Sequence, residues 1–518
     1  MSDGERDARR MQASRPFGET LRETPLYLAL VVCAGLRVAF YLQHGFVFDV
    51  LPQQWQLLDL EVLRLRPLES LNALHAQPPL LNGLLAVALA LPPVLTEPFL
   101  HVFFLATTVT MVALVFHFLR CFGYGGVASG IGAALFGILP QVLIFEHWFF
   151  YPHLEAALLL AAMYFSSRYL SLRATQSFAG LVACLVALAL LRALFHLGWV
   201  IVALVAIWLA SAARHGVRWR DAGIGVVAIA MVFALYAKNY IQFGSFSPSS
   251  WPGMNLATIV LPLLPADHGD HPDFVADFKA RVARGEFSAT TRALAEDGTW
   301  TSWAEAAADC GSAGSMPIAL CAVRKKAGGD LNYNHHSIPG YSKDLAADAR
   351  TALAYYWPLY LRRVASSYLT FFGVPSWEDG HPSRAVPRSY VAAWSVVALY
   401  DPRAVLAPDA GTRTGWRWAL WRVASTSPPH LLLVPLAVMI VMVLATAECL
   451  RLVRGGEIAV DWILPALAVV LFLTVPHWVS AYETHRMRYS IEPILFLALA
   501  FSARQIFTAM ASFRRGRS

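Results

Sequence analysis

The chain has 518 residues, of which 57 % are apolar and only 14 % charged. Soluble proteins average roughly 45–50 % apolar and about 25 % charged residues, so a soluble globular domain is excluded, as are disordered, coiled-coil and collagen-like chains. The formal net charge is +7, but the basic residues lie in short loops beside apolar runs, so this charge does not indicate a nucleic-acid partner. The mean hydropathy of +0.50 and the many long apolar runs predict a polytopic membrane protein.

Ten apolar segments are long enough to cross a bilayer, because a hydrocarbon core about 30 Å thick requires roughly 20 helical residues. They predict an all-α membrane protein with about ten transmembrane helices, in a range of about nine to thirteen. A further apolar run, 79–97, contains or adjoins Pro78, Pro79, Pro92 and Pro93 and predicts an interfacial or re-entrant helix. The predicted spans are 25–43, 98–119, 126–145, 150–167, 177–193, 195–212, 222–241, 428–449, 459–480 and 489–511.

Arginines in short loops orient the spans, because cytoplasmic loops of membrane proteins are enriched in Lys and Arg. Groups of arginines occur at the N-terminus, after residues 167, 212 and 449, and at the C-terminus. All of these groups fall on one side of the membrane only if the run 79–97 does not cross the membrane. The protein is therefore predicted to lie in the cytoplasmic (inner) membrane with both termini in the cytoplasm, and the first helix is predicted to stay as an uncleaved anchor.

The opposite, outer face is predicted to receive the loop 44–97, with its interfacial helices, and the long block 242–427. Within this block the apolar run 352–373 is interrupted by Arg362 and Arg363, which favours a helix lying in the interface, with a membrane-inserted hairpin as the alternative. The predicted division is a cytoplasmic tail 1–24, a transmembrane module 25–241, an extracytoplasmic segment 242–427, C-terminal transmembrane helices 428–511 and a cytoplasmic tail 512–518.

The six cysteines divide by predicted compartment. Cys310 and Cys321 lie together in the outer block, where an oxidising environment favours a disulfide between them, and two free buried thiols are the alternative. The other four lie in or beside spans and are interpreted as core residues. The sequence shows no C-x-x-C motif and no other short spacing typical of a metal site.

Asp49 is a candidate general base. It follows the first span and stands among apolar neighbours, and partial desolvation raises the basicity of a carboxylate. It is placed to take a proton from an attacking hydroxyl group. A solvated loop acid or a helix cap is the alternative, whereas Asp59 and Glu61 fit the polar face of an amphipathic helix.

Two further groups of polar residues are predicted on the outer side as substrate contacts. His75 and Gln77 precede a pair of prolines that fixes a rigid start for the next helix, at the water–lipid boundary. Glu146 and His147 occupy an outer turn, where the carboxylate is on the same face as Asp49 and is suited to orienting a sugar hydroxyl or an acceptor. A structural histidine and an exposed turn acid are the respective alternatives.

The outer start of the last span carries Glu483, Arg486 and Arg488. Arginines are disfavoured on that side of a membrane, so their presence indicates an anionic ligand, and arginine binds phosphate through two parallel hydrogen bonds. Contacts with lipid headgroups, or an ion pair with Glu483, are the alternatives. A base, a phosphate-binding pair and a cavity at membrane level suit an enzyme whose substrate is linked to a lipid phosphate.

The order of these motifs resembles that of the GT-C glycosyltransferases, in particular the bacterial proteins similar to dolichyl-phosphate-mannose-protein mannosyltransferases. The chain departs from the family pattern in three places: Val50 follows Asp49 where a second acid is frequent, the histidine–proline element has one extra residue, and Lys238 stands where arginine is usual. The similar elements are Asp49, His75-Ala76-Gln77-Pro78-Pro79-Leu80, Lys238-Asn239-Tyr240 with Phe243-Gly244 and Ser249 to Leu256, Pro358-Leu359-Tyr360, and Arg488-Tyr489.

This resemblance implies a GT-C-like fold and inverting transfer of a sugar from a polyprenyl-phosphate donor to a glycan, glycolipid or protein acceptor on the periplasmic or outer face. Asp49 would be the general base, and Arg486, Arg488 and Lys238 would stabilise the departing phosphate. Asn255 falls in a similar element and is a predicted substrate contact. The chain has no Asp-x-Asp motif, so no metal or other cofactor is expected.

Two other functional classes are also compatible with the sequence. One is a transporter or flippase of lipid-linked sugars, although the internal repeats frequent in such proteins are not visible here. The other is a non-catalytic scaffold of envelope assembly, with 242–427 as its interaction segment.

Overall fold

The computed structural model describes residues 24–262 except 45, 47, 49 and 50, then 272–297, 303, 304, 307, 316–372 except 327, 428–454, 460–479 and 484–515. Within these residues the regular structure is helical, apart from isolated bridge residues such as the pair Arg324 and Leu331. The prediction of an all-α, multi-pass membrane protein is confirmed at this level.

The helices of the first half of the chain are α1 Thr24–His44, α2 Leu60–Leu65, α3 Pro67–Ala73, α4 Leu80–Leu89, α5 Pro93–Cys121, α6 Gly126–Gly137, α7 Pro140–Glu146, α8 Tyr151–Leu172, α9 Thr175–Leu191, α10 Leu197–His215 and α11 Trp219–Phe243. Those of the second half are α12 Pro252–Val260, α13 Pro272–Ala283, α14 Ala289–Asp297, α15 Ile318–Cys321, α16 Ile338–Phe372, α17 Pro428–Val453, α18 Ile463–Val479, α19 Thr484–Tyr489 and α20 Glu492–Arg515.

Six helices in the described part of the chain are long and apolar enough to cross a membrane, and a seventh span is obtained if α6 and α7 are counted together. Helices α4, α9 and α18 are apolar but shorter. Each of the ten predicted spans coincides with a helix or, for 126–145, with the bent pair. That all ten cross stays a prediction. The long helices are α1, α5, α10, α11, α17 and α20.

The bend between α6 and α7 has a local cause. The two helices meet at 56°, and α7 begins with Pro140 at its first turn, where proline removes a backbone donor and restricts the preceding residue. The last carbonyls of α6 therefore lack partners within the helix. The predicted continuous span 126–145 is corrected to a broken one, and the break matters for the site described below.

The run 79–97 contributes to two helices. Helix α4 has 10 residues and a rise of about 15 Å, too short for a core about 30 Å thick. Pro93 then starts α5, where a missing N–H costs nothing because the first turn has no intrahelical acceptor. The predicted start of the next span at residue 98 is therefore corrected to residue 93.

The apolar run 352–373 is the second half of α16, a 35-residue helix kinked at Tyr356, two residues before Pro358. Arg363, which suggested an interfacial helix, is buried and donates to the carbonyl oxygens of Thr258, Ile259 and Leu261 at the end of α12. Helix α12 lies close to α16, since a Cβ on Gly253 would stand 1.7 Å from the Ser342 carbonyl oxygen.

The described residues of 51–79 and 244–342 lie together at one end of the helix bundle, which we call the loop end. The ammonium group of Lys325 donates to the carbonyl oxygens of Pro52 and Gln54, at 3.0 and 2.7 Å. Burial lowers the pKa of Lys325 to about 8. These bonds connect the loop after α1 to the segment that follows α15.

The cysteine predictions have mixed outcomes. Cys310 lies outside the described residues, so its disulfide with Cys321 stays a prediction. Cys33 and Cys184 are buried free thiols, as predicted for core positions. The other two cysteines near spans, Cys121 and Cys449, are exposed on helix surfaces, so their prediction as core residues was wrong.

Candidate functional site

A group of polar side chains is buried at the loop end of apolar helices, and we call it the Glu146 cluster. Ionisable groups within membrane helices are costly, so a buried group of this size indicates function. Residues from α1, α5, α7, α8 and α19 contribute to it. Its members are Arg37, His101, Thr108, Glu146, His147, His153 and Tyr489.

The centre of the cluster is a buried ion pair between Arg37 and Glu146, with Nε 2.6 Å from Oε2. The guanidinium also donates to the carbonyl oxygens of Cys33, at 3.0 Å, and Gly137, at 2.8 Å. The Gly137 carbonyl is among those that the break after α6 leaves without a helical partner. The broken helix therefore supplies part of the arginine's binding site.

A chain of hydrogen bonds leads from Glu146 to the last helices. The Thr108 hydroxyl donates to Glu146 Oε2 at 2.6 Å and lies 2.9 Å from His153 Nε2. Because the single hydroxyl proton of Thr108 goes to the carboxylate, His153 Nε2 is the donor in the second contact. His153 Nδ1 then accepts from the Tyr489 hydroxyl at 3.0 Å. These contacts orient all three side chains around the carboxylate.

The two remaining histidines lie on the other side of Glu146. The ring centroids of His101 and His147 are 5.1 Å apart. The His101 ring is stacked on Tyr41 with centroids 4.3 Å apart, and Phe46 packs beside it at 5.9 Å. His147 Nδ1 donates to the Leu143 carbonyl at 2.7 Å. Packing and hydrogen bonding thus fix the orientation of both rings.

Two more ion pairs lie nearby, a buried one between α9 and α8 and a partly buried one between α19 and α20. Arg192 contacts Glu155 at 3.1 Å, and the Ser490 hydroxyl donates to the same carboxylate at 2.6 Å. Arg488 contacts Glu492 at 3.1 Å and donates to the Phe371 carbonyl at 2.6 Å, at the end of α16. The first pair, through Ser490, ties the start of α20 to α8, and the second ties α19 to α20 and to the end of α16.

Arg486 lies beside this turn. Its guanidinium carbon is 5.4 Å from the ring centre of Trp148 and 5.3 Å from that of Phe150, which is the geometry of a cation–π contact. The structure therefore brings together the predicted Glu146–His147 turn and the predicted Arg486. Glu483 lies outside the described residues.

The other two predicted phosphate-binding cations are bound elsewhere in this structure. Arg488 is only 1 % exposed and pairs with Glu492. Lys238, near the end of α11, donates to the Leu74 carbonyl at 2.5 Å. A structural role accounts for the contacts of both.

His75 is likewise an internal support, since its side chain is 1 % exposed. Its Nδ1 lies 2.7 Å from the Ser250 hydroxyl and its Nε2 lies 3.1 Å from the Asn334 carbonyl. Burial, with a smaller contribution from the nearby charge of Lys238, lowers the pKa of His75 to about 3. The structural alternative thus describes His75 better than a substrate contact. Gln77 and Asn255 are half-buried.

We expect acid to destabilise the protein through His75. The unfolded chain protonates this histidine below its ordinary pKa of 6.5, whereas the native state resists protonation down to about 3. The contribution of neutral His75 to the free energy of unfolding is thus fully present above pH 6.5 and is lost as the pH falls towards 3. Between pH 7.5 and 5 this loss is ~2 kcal/mol.

The measurement is the unfolding free energy at pH 7.5 and 5 in mixed micelles. His75→Gln should lose ~2 kcal/mol less than the wild type on acidification, and the exposed His336→Gln should behave as the wild type. An identical acid dependence in His75→Gln and the wild type would contradict the assignment.

The loop after α1 reaches the same region. Gln54 Nε2 donates to the Phe149 carbonyl at 3.5 Å, and Phe46 packs against Phe104 and His101. Asp49 itself lies outside the described residues. The loop that carries the predicted base thus contacts both the Glu146 cluster and the turn beside Arg486.

Sequence reasoning did not predict Arg37, His101, His153, Glu155 or Arg192 as parts of the site. A signal was present, because each is an ionisable residue inside or at the end of an apolar run, where charge is costly. The residues predicted for the site fall instead at loops, turns and the ends of predicted spans.

Comparisons with known proteins give no further guide. No family model, curated protein or solved structure matches the chain.

Proposed function

We propose that the protein is an inverting glycosyltransferase that moves a sugar from a polyprenyl-phosphate donor to an acceptor hydroxyl. The observation that carries the proposal is the meeting of three segments at residues 148–150. Gln54, from the loop that bears Asp49, contacts Phe149, and Arg486 lies over the rings of Trp148 and Phe150. A base-bearing loop and a cation thus approach one turn at the loop end.

The charges in this region favour an anionic, lipid-linked substrate. A guanidinium stacked on aromatic rings donates its N–H groups from its edge, the direction from which phosphate oxygens bind. Arg486 is half-buried, so its interaction with a developing negative charge is weakly screened. The exposed apolar surfaces of the long helices, such as Val31 and Leu28 on α1, suit contact with lipid and with a prenyl tail.

In the proposed reaction Asp49 removes the proton of the acceptor hydroxyl as its oxygen attacks the anomeric carbon. The bond from that carbon to the phosphate oxygen breaks on the opposite side, and polyprenyl phosphate leaves with the bonding electrons. Arg486 stabilises the charge that develops on the leaving phosphate. Glu146, which the sequence predicted as a substrate contact, instead pairs with Arg37 and thereby supports the turn.

Two buried ion pairs and one partly buried pair fix the end of α7, the start of α8 and the α19–α20 segment, which suits a site that must keep its groups in place. The proposal sets the loop end on the periplasmic or outer face of the cytoplasmic membrane, with ten spans and both termini in the cytoplasm. The acceptor is a glycan, glycolipid or protein.

The test is a transfer assay with the full chain in lipid nanodiscs. A polyprenyl phosphate carrying a radiolabelled hexose is incubated with envelope extract, and both labelled product and released polyprenyl phosphate are measured. We expect Arg486→Gln to lower kcat/KM by about 10²–10³-fold, as loss of a charge-stabilising donor does. Arg66→Gln, an exposed arginine of the loop end, should stay within about twofold of the wild type.

The alternatives give different results when the same protein is reconstituted in sealed lipid vesicles, where movement of the donor across the bilayer can be measured. Donor that crosses the bilayer without cleavage would identify a transporter or flippase and overturn the proposal. Donor that is neither moved nor consumed, with any envelope extract, would favour a scaffold and also overturn it. Mass spectrometry of envelope glycans and lipids with and without the gene would then identify the acceptor.

A further inference from the structure

Three side chains of the Glu146 cluster have the chemistry and spacing of metal ligands. His101, Glu146 and His147 each offer one ligand atom, and these atoms all lie within 4.8 Å of one another. All three side chains are buried. They come from α5 and from the end of α7, so no short sequence spacing marks them.

The two oxygens of Glu146 have unequal surroundings. Oε2 accepts hydrogen bonds from Arg37 and Thr108, both at 2.6 Å, whereas Oε1 is buried and has no hydrogen-bond partner. His101 Nε2 is also buried without a partner, on a side chain that is only 8 % exposed. Buried polar atoms are nearly always satisfied, so these two atoms are available to bind a ligand.

The orientation of His147 suits the same ligand. A carbonyl oxygen only accepts, so the 2.7 Å contact with Leu143 places the proton of the neutral ring on Nδ1. The lone pair is therefore on Nε2. A histidine whose other nitrogen donates to a backbone carbonyl is the usual form of a metal-binding imidazole, because that bond fixes both tautomer and ring orientation.

We propose that His101, Glu146 and His147 bind one divalent metal ion, with zinc as the best match. Two imidazoles and one carboxylate are a ligand set that zinc favours, and three protein ligands leave a fourth position for water or for an oxygen of a ligand. Zinc bonds of about 2.0–2.1 Å in a tetrahedral site separate ligand atoms by about 3.4 Å. Because the ligand atoms lie within 4.8 Å of one another, binding would draw the most distant pair together by at most about 1.4 Å.

Arg37 is compatible with this site because it occupies the other carboxylate oxygen. Its Nε contacts Oε2, and its two terminal nitrogens donate to the carbonyl oxygens of Cys33 and Gly137. It thereby orients the carboxylate, as hydrogen-bonded groups behind a metal ligand commonly do. Replacing Glu146 would remove both the ligand and the partner of Arg37, so the histidines are the better test positions.

The proposal departs from the expectation of no metal, which followed from the absence of an Asp-x-Asp motif. It does not depend on sugar transfer, because its readout is metal binding. A protein that binds zinc here without transferring sugar would support this inference and count against the proposed function. A protein that transfers sugar without binding zinc here would support the proposed function and count against this inference.

The test uses the full chain in nanodiscs, stripped with a chelator and then loaded with Zn²⁺ or Co²⁺. We expect one ion per chain by mass spectrometry of the metal content. The visible absorption of bound Co²⁺ should be that of a nitrogen- and oxygen-ligated ion. X-ray absorption of the zinc-loaded wild type should show two imidazole ligands at about 2.0–2.1 Å.

The variants are His101→Gln and His147→Gln, with the exposed His336→Gln as a control for a histidine outside the site. Each ligand variant should bind Zn²⁺ at least about 100-fold more weakly than the wild type, since even outer groups cost 10–100-fold. The control should bind as the wild type does.

Three results would overturn the proposal: no stoichiometric binding by the wild type, unchanged binding in both ligand variants, or a sulfur ligand at about 2.3 Å. The last would place the ion at a cysteine. Because the X-ray absorption measurement uses only the zinc-loaded wild type, the proposal stays testable even if a variant fails to fold.

Discussion

Replacing Asp49 by Asn is expected to lower the rate of sugar transfer by about 10²–10⁴-fold, the range lost when a positioned general base is removed. The amide keeps the size of the side chain but cannot accept the proton of the acceptor hydroxyl. Donor affinity should change little, because the base acts on the acceptor and the phosphate is bound by other groups. The measurements are single-turnover transfer in nanodiscs and donor binding by the same protein.

Glu61→Gln is the matched control, since it makes the same chemical change at an exposed acid of the same loop. Its transfer rate should stay within about twofold of the wild type. Equal turnover by Asp49→Asn and the wild type would exclude Asp49 as the base. A loss of donor binding equal to the loss of turnover would instead indicate that Asp49 holds the donor.

Replacing Arg37 by Met is expected to reduce the unfolding free energy by about 3–5 kcal/mol, because it leaves the carboxylate of Glu146 buried without its cation. The pair is among the most buried groups of the described structure, with side chains 2 % and 0 % exposed and an Nε–Oε2 distance of 2.6 Å. The guanidinium also satisfies two backbone carbonyls, so its loss leaves these acceptors unpaired as well.

The double variant Arg37→Met with Glu146→Leu should recover much of this loss, because an apolar pair has no charge to bury. Arg66→Met breaks an exposed pair with Glu69 and should cost less than about 1 kcal/mol. The measurement is reversible unfolding in mixed micelles with a chelator present, so that metal binding does not contribute. The single variant Glu146→Leu is measured as well. If the double variant loses as much free energy of unfolding as Arg37→Met and Glu146→Leu together, the ion pair does not form.

The turn between α7 and α8 shows how stability and function are connected here. Arg37 and Glu146 fix the end of α7, and Arg486 and Gln54 contact the residues that follow it. A loss of activity in Arg37→Met would therefore combine a folding defect with displacement of the turn. Comparing its activity per folded molecule with that of the double variant separates the two causes.

The sequence by itself determined the positions of the apolar helices to within a few residues at most ends. A bilayer imposes one length and one polarity on every span, so the signal is local and each run is readable alone. The same reasoning predicted candidate site residues at 146–147 and 486. These residues stood out because a charge beside an apolar run is unusual whatever the neighbouring helices are.

Only the tertiary structure decided which polar groups pair. Arg37 meets Glu146 across 109 positions of sequence, and Arg488 turns to Glu492 and the end of α16 rather than to an exposed site. His75 is enclosed by Ser250 and Asn334. Hydropathy is the same for a helix face that contacts lipid and for one that contacts another helix. The rotation of each helix about its axis therefore depends on packing between distant segments. This rotation also decides which partner each buried charge contacts.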